Sequence, residues 1–295
     1  MSIMKKRVSS RTASRAGLAL ASLAFFASIR LSQGEALRAL GGQPAFQTEE
    51  ESPVRRVELL VLDNGSPTIP IGLHVELGPG WYLYWLNPGD AGLAPEVRWT
   101  LPPDYVAGKL RFPTPEKLVH GDIVTYGFTG EVLILCDIQR PASPKAADKA
   151  MITAVLGWMA CQESCVTGES TAQVNLSGLL PSDLQKATSV LSRFSKRYPQ
   201  KPATTELKVR DARLVKSSGR WTVEILLAGR KAELVSDFFP YPLDDFVIDL
   251  HGIAISGGKL IIPVEPANSS AALSSVGGLL IIEGHGYEVS IPIRE

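Results

Sequence analysis

Short apolar segments, each bounded by Gly, Pro, Asn or Asp, recur along most of the chain and constrain its fold more than any other feature. They are rich in Val, Ile, Leu and aromatic residues, which is typical of β-strands. Their close spacing favours antiparallel sandwiches over alternating strands and helices. The predicted strands are 54–63, 69–77, 81–86, 97–101, 131–139, 151–160 and 171–176, then 206–215, 221–227, 246–251, 259–264, 279–283 and 287–293.

One segment, 182–198, departs from this pattern and is predicted to be a helix. Its apolar residues recur at helical spacing, 182–185 (SDLQ) fits a capping box, and Pro199 ends it. The fold class is therefore mainly β, with two β-sandwich domains joined by one helix and a short linker. The predicted domains are a signal peptide at 1–34, a flexible lead-in at 35–53, a sandwich at 54–180, the helix and linker at 181–203, and a second sandwich at 204–295.

The first 34 residues carry six basic residues and no acid, and five of the six precede an apolar run at 16–29. This order predicts a secretory signal peptide. The run is shorter than the roughly 20 residues that a membrane span needs, although an uncleaved N-terminal anchor is the alternative. We therefore expect an exported protein, in a compartment where disulfides persist.

The whole chain has 30 Lys and Arg residues against 30 Asp and Glu residues. Removal of residues 1–34 would leave a net charge of −6, which argues against a nucleic-acid or anionic-membrane role. The chain also lacks the G-x-S-x-G, H-E-x-x-H, G-x-G-x-x-G and P-loop motifs. We expect no cofactor and no resident metal.

Cys161 and Cys165 are the chemically most informative pair in the sequence. On an extended strand their Cα atoms would be about 13 Å apart, whereas a disulfide requires about 4.4–6.8 Å. A bond therefore requires a turn at 162–164, which the flanking predicted strands favour. A loop of about five residues would stabilise the fold by only about 2 kcal/mol, so the pair is a candidate for reversible chemistry, with a structural staple as the alternative.

No Lys, Arg or His lies within ten residues of either cysteine, and Glu163 should oppose thiolate formation. We therefore expect a partner to supply the attacking thiolate.

Four segments in combination resemble the N-terminal periplasmic domain of the DsbD/ScsB thiol:disulfide interchange proteins. The resemblance covers roughly residues 54–198. The segments are GWYLYWLNPGDAGL at 80–93, WTLP at 99–102, YGFTGEVL at 126–133 and WMACQESC at 158–165.

The resemblance implies an immunoglobulin-like sandwich, a periplasmic location and a redox-active pair at Cys161 and Cys165. Such a domain is a component of a thiol-disulfide oxidoreductase system. The implied partners are a thioredoxin-like periplasmic protein and a membrane electron-transfer protein of the DsbD/CcdA type. The chain shows no multi-helix electron carrier and no thioredoxin domain, so we expect the donor to be a separate protein. The family's best-known members separate the cysteines by five residues, and the three-residue spacing here is similar to the ScsB branch.

The family covers its cysteines with a mobile cap loop, which corresponds here to about 114–125. The residues predicted to shield the pair or to contact a partner are Trp158, Tyr82, Tyr84, His120, Asp122 and Tyr126. A core role for the aromatic residues at 81–85 is an equal alternative.

Cys136 lies in an apolar strand, which predicts a buried structural thiol. The alternative is a third metal ligand with Cys161, Cys165 and His120, since thiolates suit Cu(I) or Zn. A non-catalytic exported binding module with a structural disulfide is the rival of the redox function.

Overall fold

The structure, a computed structural model, describes residues 52–63, 65–141, 151–203 and 205–294. The predicted signal peptide and most of the lead-in lie outside these residues. The paired strands run antiparallel. They are β1 Val54–Val61, β2 Thr68–Leu77, β3 Tyr82–Gly89, β4 Glu96–Thr100, β5 Val106–Arg111, β6 Glu116–His120, β7 Ile123–Thr129, β8 Glu131–Gln139, β9 Met151–Cys161, β10 Cys165–Asn175, β11 Lys208–Ser217, β12 Arg220–Ala228, β13 Val235–Pro240, β14 Phe246–Ile248, β15 Ala254–Ser256, β16 Lys259–Pro266, β17 Ser275–Ile282 and β18 His285–Pro292.

Strands β1–β10 form the N-terminal sandwich. One sheet has the order β1-β2-β8-β5, and the other has the order β10-β9-β3-β7-β6, with β4 paired to β9. Their inner faces share one core, in which Ile71 and Ile134 of the first sheet meet Leu83 and Leu156 of the second. In β9 buried residues alternate with less buried ones, as expected for a strand with one face on a core. The prediction of a mainly β sandwich fold is confirmed.

Strands β11–β18 form the C-terminal sandwich, from the sheets β11-β12-β16-β14, with β15 on β16, and β13-β17-β18. Two of its hairpin turns, Ser218-Gly219 and Gly257-Gly258, have positive φ at both central residues, which is the backbone that tight hairpins require. A third hairpin turn, at Glu283-Gly284, also has positive φ at both residues. The described residues lie in one compact unit, and the domain limits at 180/181 and 203/204 stay predictions.

The helix α1, Pro181–Phe194, continues into a short 3-10 turn over Ser195–Arg197. Its buried residues Ala187, Val190 and Phe194 pack against the outer face of β8 and β1. The expected capping box at 182–185 is wrong by two residues. The N-cap is Leu180, and the carboxylate of Asp183 accepts from its backbone N–H at 2.9 Å.

Several strands were missed by the sequence pattern, among them β5, β6, β7 and β13. The stretch predicted as a cap loop, 114–125, is largely the hairpin of β6 and β7. β6 is mostly exposed, so it lacks the apolar signal of a strand.

The predicted linker is also more ordered than its prolines suggested. The backbone of Gln200 bonds to Gly286 and Glu288 beside β18. Among the described residues, no helix is long and apolar enough to cross a membrane.

Candidate functional site

The two cysteines close the hairpin between β9 and β10. Cys161 ends β9, Cys165 begins β10, and the two are register partners. The backbone N–H of Gln162 donates to the carbonyl of Ser164 at 3.1 Å, which closes the three-residue turn. The Cα atoms come within 4.1 Å and the sulfurs are bonded. The turn that the sequence required for a disulfide is therefore present.

The two sulfurs have different surroundings. Cys161 is 1% exposed because β3 pairs with β9 at this point and places Tyr82 opposite it. Cys165 is exposed, since β10 is the outer strand of its sheet. Cys165 is therefore open to solvent, whereas Cys161 is covered.

Strand β3 presents two tyrosines to this disulfide. Side chains alternate along a strand, so Tyr82 and Tyr84 face Cys161, while Leu83 and Trp85 enter the main core. The Tyr84 hydroxyl lies 3.0 Å from the Cys161 Sγ and 3.9 Å from the Cys165 Sγ. Because a disulfide sulfur carries no hydrogen, Tyr84 is the donor. Its oxygen lies 3.4 Å from the Tyr82 hydroxyl.

Tyr84 keeps its proton throughout the physiological range. Burial, assisted by the hydrogen bond and charge of Tyr82, raises the pKa of Tyr84 well above its ordinary value. A neutral hydroxyl that points at Cys161 can donate to the thiolate formed there when the disulfide opens, and hydrogen bonding to a charged form favours that form.

Two segments cover this cluster. The ring of Tyr84 lies against Gly92, where an added Cβ would be 2.2 Å from the ring. On the other side the β6–β7 hairpin brings Leu118 into contact with the cluster of Tyr82, Tyr84 and Cys161. His120, at its end, stacks on Tyr82 with ring centroids 5.8 Å apart and an interplanar angle of 12°.

Of the cap residues predicted from the resemblance, His120 therefore lies beside the site. Asp122 is exposed at the hairpin tip.

Trp158 lies beside the hairpin but faces the main core. Its ring covers Gly168, the register partner of Trp158, and its Nε1–H donates to Ser170 at 2.9 Å. A groove of about 490 Å³ begins there and is lined partly by Leu93, Met159 and Thr167. Met159 and Thr167 form the register pair two residues from the cysteines, so the groove starts next to the disulfide.

Tyr126 is a correction to the predicted site. It is fully buried in the main core, with Trp85 and Phe239 as ring neighbours at 6.0 and 4.8 Å. It belongs to the core cluster and not to the cluster around Cys161.

Cys136 lies on β8 in the opposite sheet and is 1% exposed. Burial raises the pKa of its thiol to about 11, so it is protonated at neutral pH. The metal alternative is not supported by this arrangement. Among the described residues, the His, Cys, Asp and Glu side chains close enough to share an ion are Glu58, His74 and Glu76. There Lys186 and Arg56 already pair with Glu58.

Sequence reasoning missed the contacts that Gly92, Leu118 and Met159 make with the site. Gly92 is part of a glycine-rich turn, and nothing in a turn signal specifies which ring lies on it. The available signal was the apolar pair Leu118 and Val119, flanked by charged and polar residues.

Fold and site together define a class: a β-sandwich domain whose edge hairpin carries a disulfide with one exposed and one covered sulfur. Comparisons with known proteins agree with this class. Residues 58–176 match the family described as "Thiol:disulfide interchange protein DsbD, N-terminal". The resemblance inferred from the sequence is confirmed for this part of the chain, which matches the N-terminal domain family of the DsbD thiol:disulfide interchange proteins.

Among solved structures, the N-terminal periplasmic domain of ScsB from Proteus mirabilis aligns with a TM-score of 0.57 and 18% identity. The alignment covers 77% of this chain and 88% of that chain, so the shared fold extends beyond residues 58–176. The DsbD n-terminal domain of Neisseria meningitidis, in the reduced form, aligns with a TM-score of 0.29 and 14% identity over 43% of this chain and 87% of that chain. With this TM-score, the second alignment does not establish a shared fold. The curated proteins show no significant match to this chain.

Proposed function

We propose that this protein relays reducing equivalents through the Cys161–Cys165 pair, from a membrane donor of the DsbD/CcdA type to a thioredoxin-like acceptor. The observation that carries the proposal is the asymmetry of the disulfide: Cys165 is exposed, whereas Cys161 is covered and accepts a hydrogen bond from Tyr84 at 3.0 Å. A staple that only stabilises the fold has no need of a buried donor aimed at one sulfur. The site residues of this proposal are Cys161 and Cys165, with Tyr82, Tyr84 and His120 around them.

In the first half of the relay, a thiolate of the donor attacks the Cys165 Sγ. A new bond forms between the donor sulfur and Cys165, the Cys161–Cys165 bond breaks, and Cys161 leaves as a thiolate that receives the Tyr84 hydrogen bond. The second thiol of the donor then attacks the donor sulfur of the mixed disulfide, and Cys165 is released as a thiolate. The donor is oxidised to a disulfide, and this protein gains two electrons and, overall, two protons.

The second half runs in reverse on the acceptor. The exposed Cys165 thiolate attacks the acceptor disulfide, and Cys161 then attacks Cys165 to resolve the mixed disulfide. The acceptor leaves as a dithiol, so electrons and protons balance over the cycle. Glu163 lies in the hairpin turn, with no basic residue within ten positions of either cysteine, which supports a pair that depends on its partners for activation.

Location and organisation complete the proposal. Residues 1–34 would direct export to the periplasm, where a disulfide persists, and 54–180 and 204–295 would be separate domains. The positive leader and the apolar run at 16–29 support the export. A hydrophobic cluster made only of residues from 207–293 supports a second domain.

Electron transfer from the reduced protein tests the function. When the reduced protein is mixed with an oxidised thioredoxin-like protein, we expect it to lose two thiols per molecule, at Cys161 and Cys165, and the partner to gain an equal number of thiols. Thiols are counted by mass after alkylation, and a Cys161→Ser/Cys165→Ser variant gives the background of Cys136. The proposal fails if dithiothreitol opens the disulfide but the reduced protein transfers no electrons to the thioredoxin-like protein.

A further inference from the structure

The two segments that cover the disulfide cluster are both held by the C-terminal sandwich. One is the loop at 87–92, which includes the last residues of β3 and carries Gly92 against Tyr84. The other is the β6–β7 hairpin, which carries Leu118 and His120. Each forms polar contacts to residues more than 110 positions later in the chain.

The loop is anchored at both of its ends. The Asn87 side chain donates from Nδ2 to the carbonyl of Pro240 at 2.8 Å, and its Oδ1 accepts from the N–H of Gly89. Asp90 Oδ2 lies 3.2 Å from His251 Nε2 and accepts from the N–H of Val124 at 2.7 Å. The backbone N–H of Asp90 also donates to the carbonyl of Val124. Asp90 therefore joins three elements: the loop, the hairpin and the C-terminal sandwich.

The hairpin has an anchor of its own. Lys117 Nζ, one residue before Leu118, lies 3.0 Å from a carboxylate oxygen of Asp237 on β13. Behind both covering segments, β13 and the residue after it pack Phe239 on Tyr126 at 4.8 Å and Tyr241 on Trp85 at 5.6 Å. Trp85 and Tyr126 belong to β3 and β7, the strands that bear the covering segments. The apolar contacts therefore hold these two strands, and the polar contacts hold the covering segments themselves.

We infer that the C-terminal sandwich positions the redox site, with His251 and Asp237 as positioning residues that act through Asp90 and Lys117. They hold the loop and the hairpin over Tyr84 and Cys161, and neither touches a sulfur. This rests on the proposed function, because it assigns a task to the second sandwich at that same disulfide. It makes the exposure of Cys161 depend on contacts far from it in sequence.

The closing experiment measures this exposure in the full chain. A His251→Ala/Asp237→Asn variant leaves the sandwich that bears the disulfide unchanged. In the reduced protein, we expect alkylation of Cys161 by iodoacetamide to become about threefold to tenfold faster, the range expected when two partly exposed polar contacts cease to bias a local opening. Alkylation of Cys165, which is exposed already, should keep its rate. In the oxidised protein, the same variant should show faster hydrogen exchange of the Val124 amide.

The control variant is Arg213→Ala, which removes an ion pair with Glu224 inside the C-terminal sandwich. A His251→Gln/Asp237→Asn variant keeps an amide donor toward Asp90 and should restore part of the protection. The inference is overturned if the ratio of Cys161 to Cys165 alkylation equals that of the wild type, whether or not Val124 exchange changes. Alkylation by iodoacetamide needs no protein partner. Its rate therefore tests the positioning of the site even if electron transfer to a thioredoxin-like protein fails. If the double variant does not fold, His251→Ala alone carries the same test, since that side chain is about half exposed.

Discussion

A Cys161→Ser variant is expected to trap a thioredoxin-like partner as a stable mixed disulfide, whereas a Cys165→Ser variant is expected to trap almost none. The remaining thiol is at the surface in the first variant and under Tyr82, Tyr84 and Leu118 in the second. Thiol–disulfide exchange depends on access to the reacting sulfur. We expect the yields of trapped complex to differ by about tenfold or more.

The measurement is non-reducing electrophoresis after incubation with the oxidised partner, followed by mass analysis of the joined peptides. A Cys161→Ser/Cys165→Ser variant retains Cys136 and must trap nothing, because that thiol is buried. Equal yields from the two single variants, or a larger yield from Cys165→Ser, would show that the exposed sulfur is not the point of attack.

Gly92→Ala is expected to destabilise the protein and to displace Tyr84 from the disulfide. Gly92 has φ +104°, and an added Cβ would lie 2.2 Å from the Tyr84 ring. A side chain there is strained by its backbone and also forces the ring to move. Together these effects should cost about 2–4 kcal/mol. Exchange at Cys165 should slow as well, because the donor to the leaving Cys161 thiolate is moved.

Gly130→Ala is the matched control. Gly130 also has a positive φ, +67°, but its added Cβ would meet nothing within 4 Å. Gly130→Ala should therefore lower the free energy of unfolding by only about 1 kcal/mol, the contribution of backbone strain alone. Urea unfolding gives both free energies, and the rate of reduction by dithiothreitol gives the effect on the site. If the two variants lose the same stability and reduce at the same rate, Gly92 does not hold the Tyr84 ring in place.

Much of the fold follows from local sequence. Strands such as β2, β8 and β9 can be predicted from their apolar and β-branched residues, which stand between turn residues. β6 is not predicted in this way, because a strand that covers a site from the outside is largely exposed, and only Leu118 and Val119 of its five residues are apolar. The cap region was located by resemblance, yet its hairpin structure depends on pairing with β7, which no pattern within 114–125 indicates.

The parts of the site that depend on local chain geometry were predictable from the sequence. The contacts that depend on the pairing register of the strands were not. The turn at 162–164 follows from the distance that a disulfide allows. Tyr82 and Tyr84 face the cysteines because Tyr82 pairs with Cys161, and the family resemblance pointed to them without that register. Tyr126 was assigned to the site by the same resemblance, but its face of β7 enters the core. The contacts of Asn87 and Asp90 with the C-terminal sandwich join residues more than 150 positions apart, beyond any local signal.

The reduction potential of the Cys161–Cys165 pair tests the central claim most directly. The pair is equilibrated in buffers of defined thiol–disulfide ratio, and the reduced fraction is read by alkylation and mass. An exchangeable disulfide with an exposed sulfur should have a potential more oxidising than roughly −300 mV. A potential below roughly −300 mV, in the range of structural disulfides, would contradict the account and leave the bond as a staple of the hairpin.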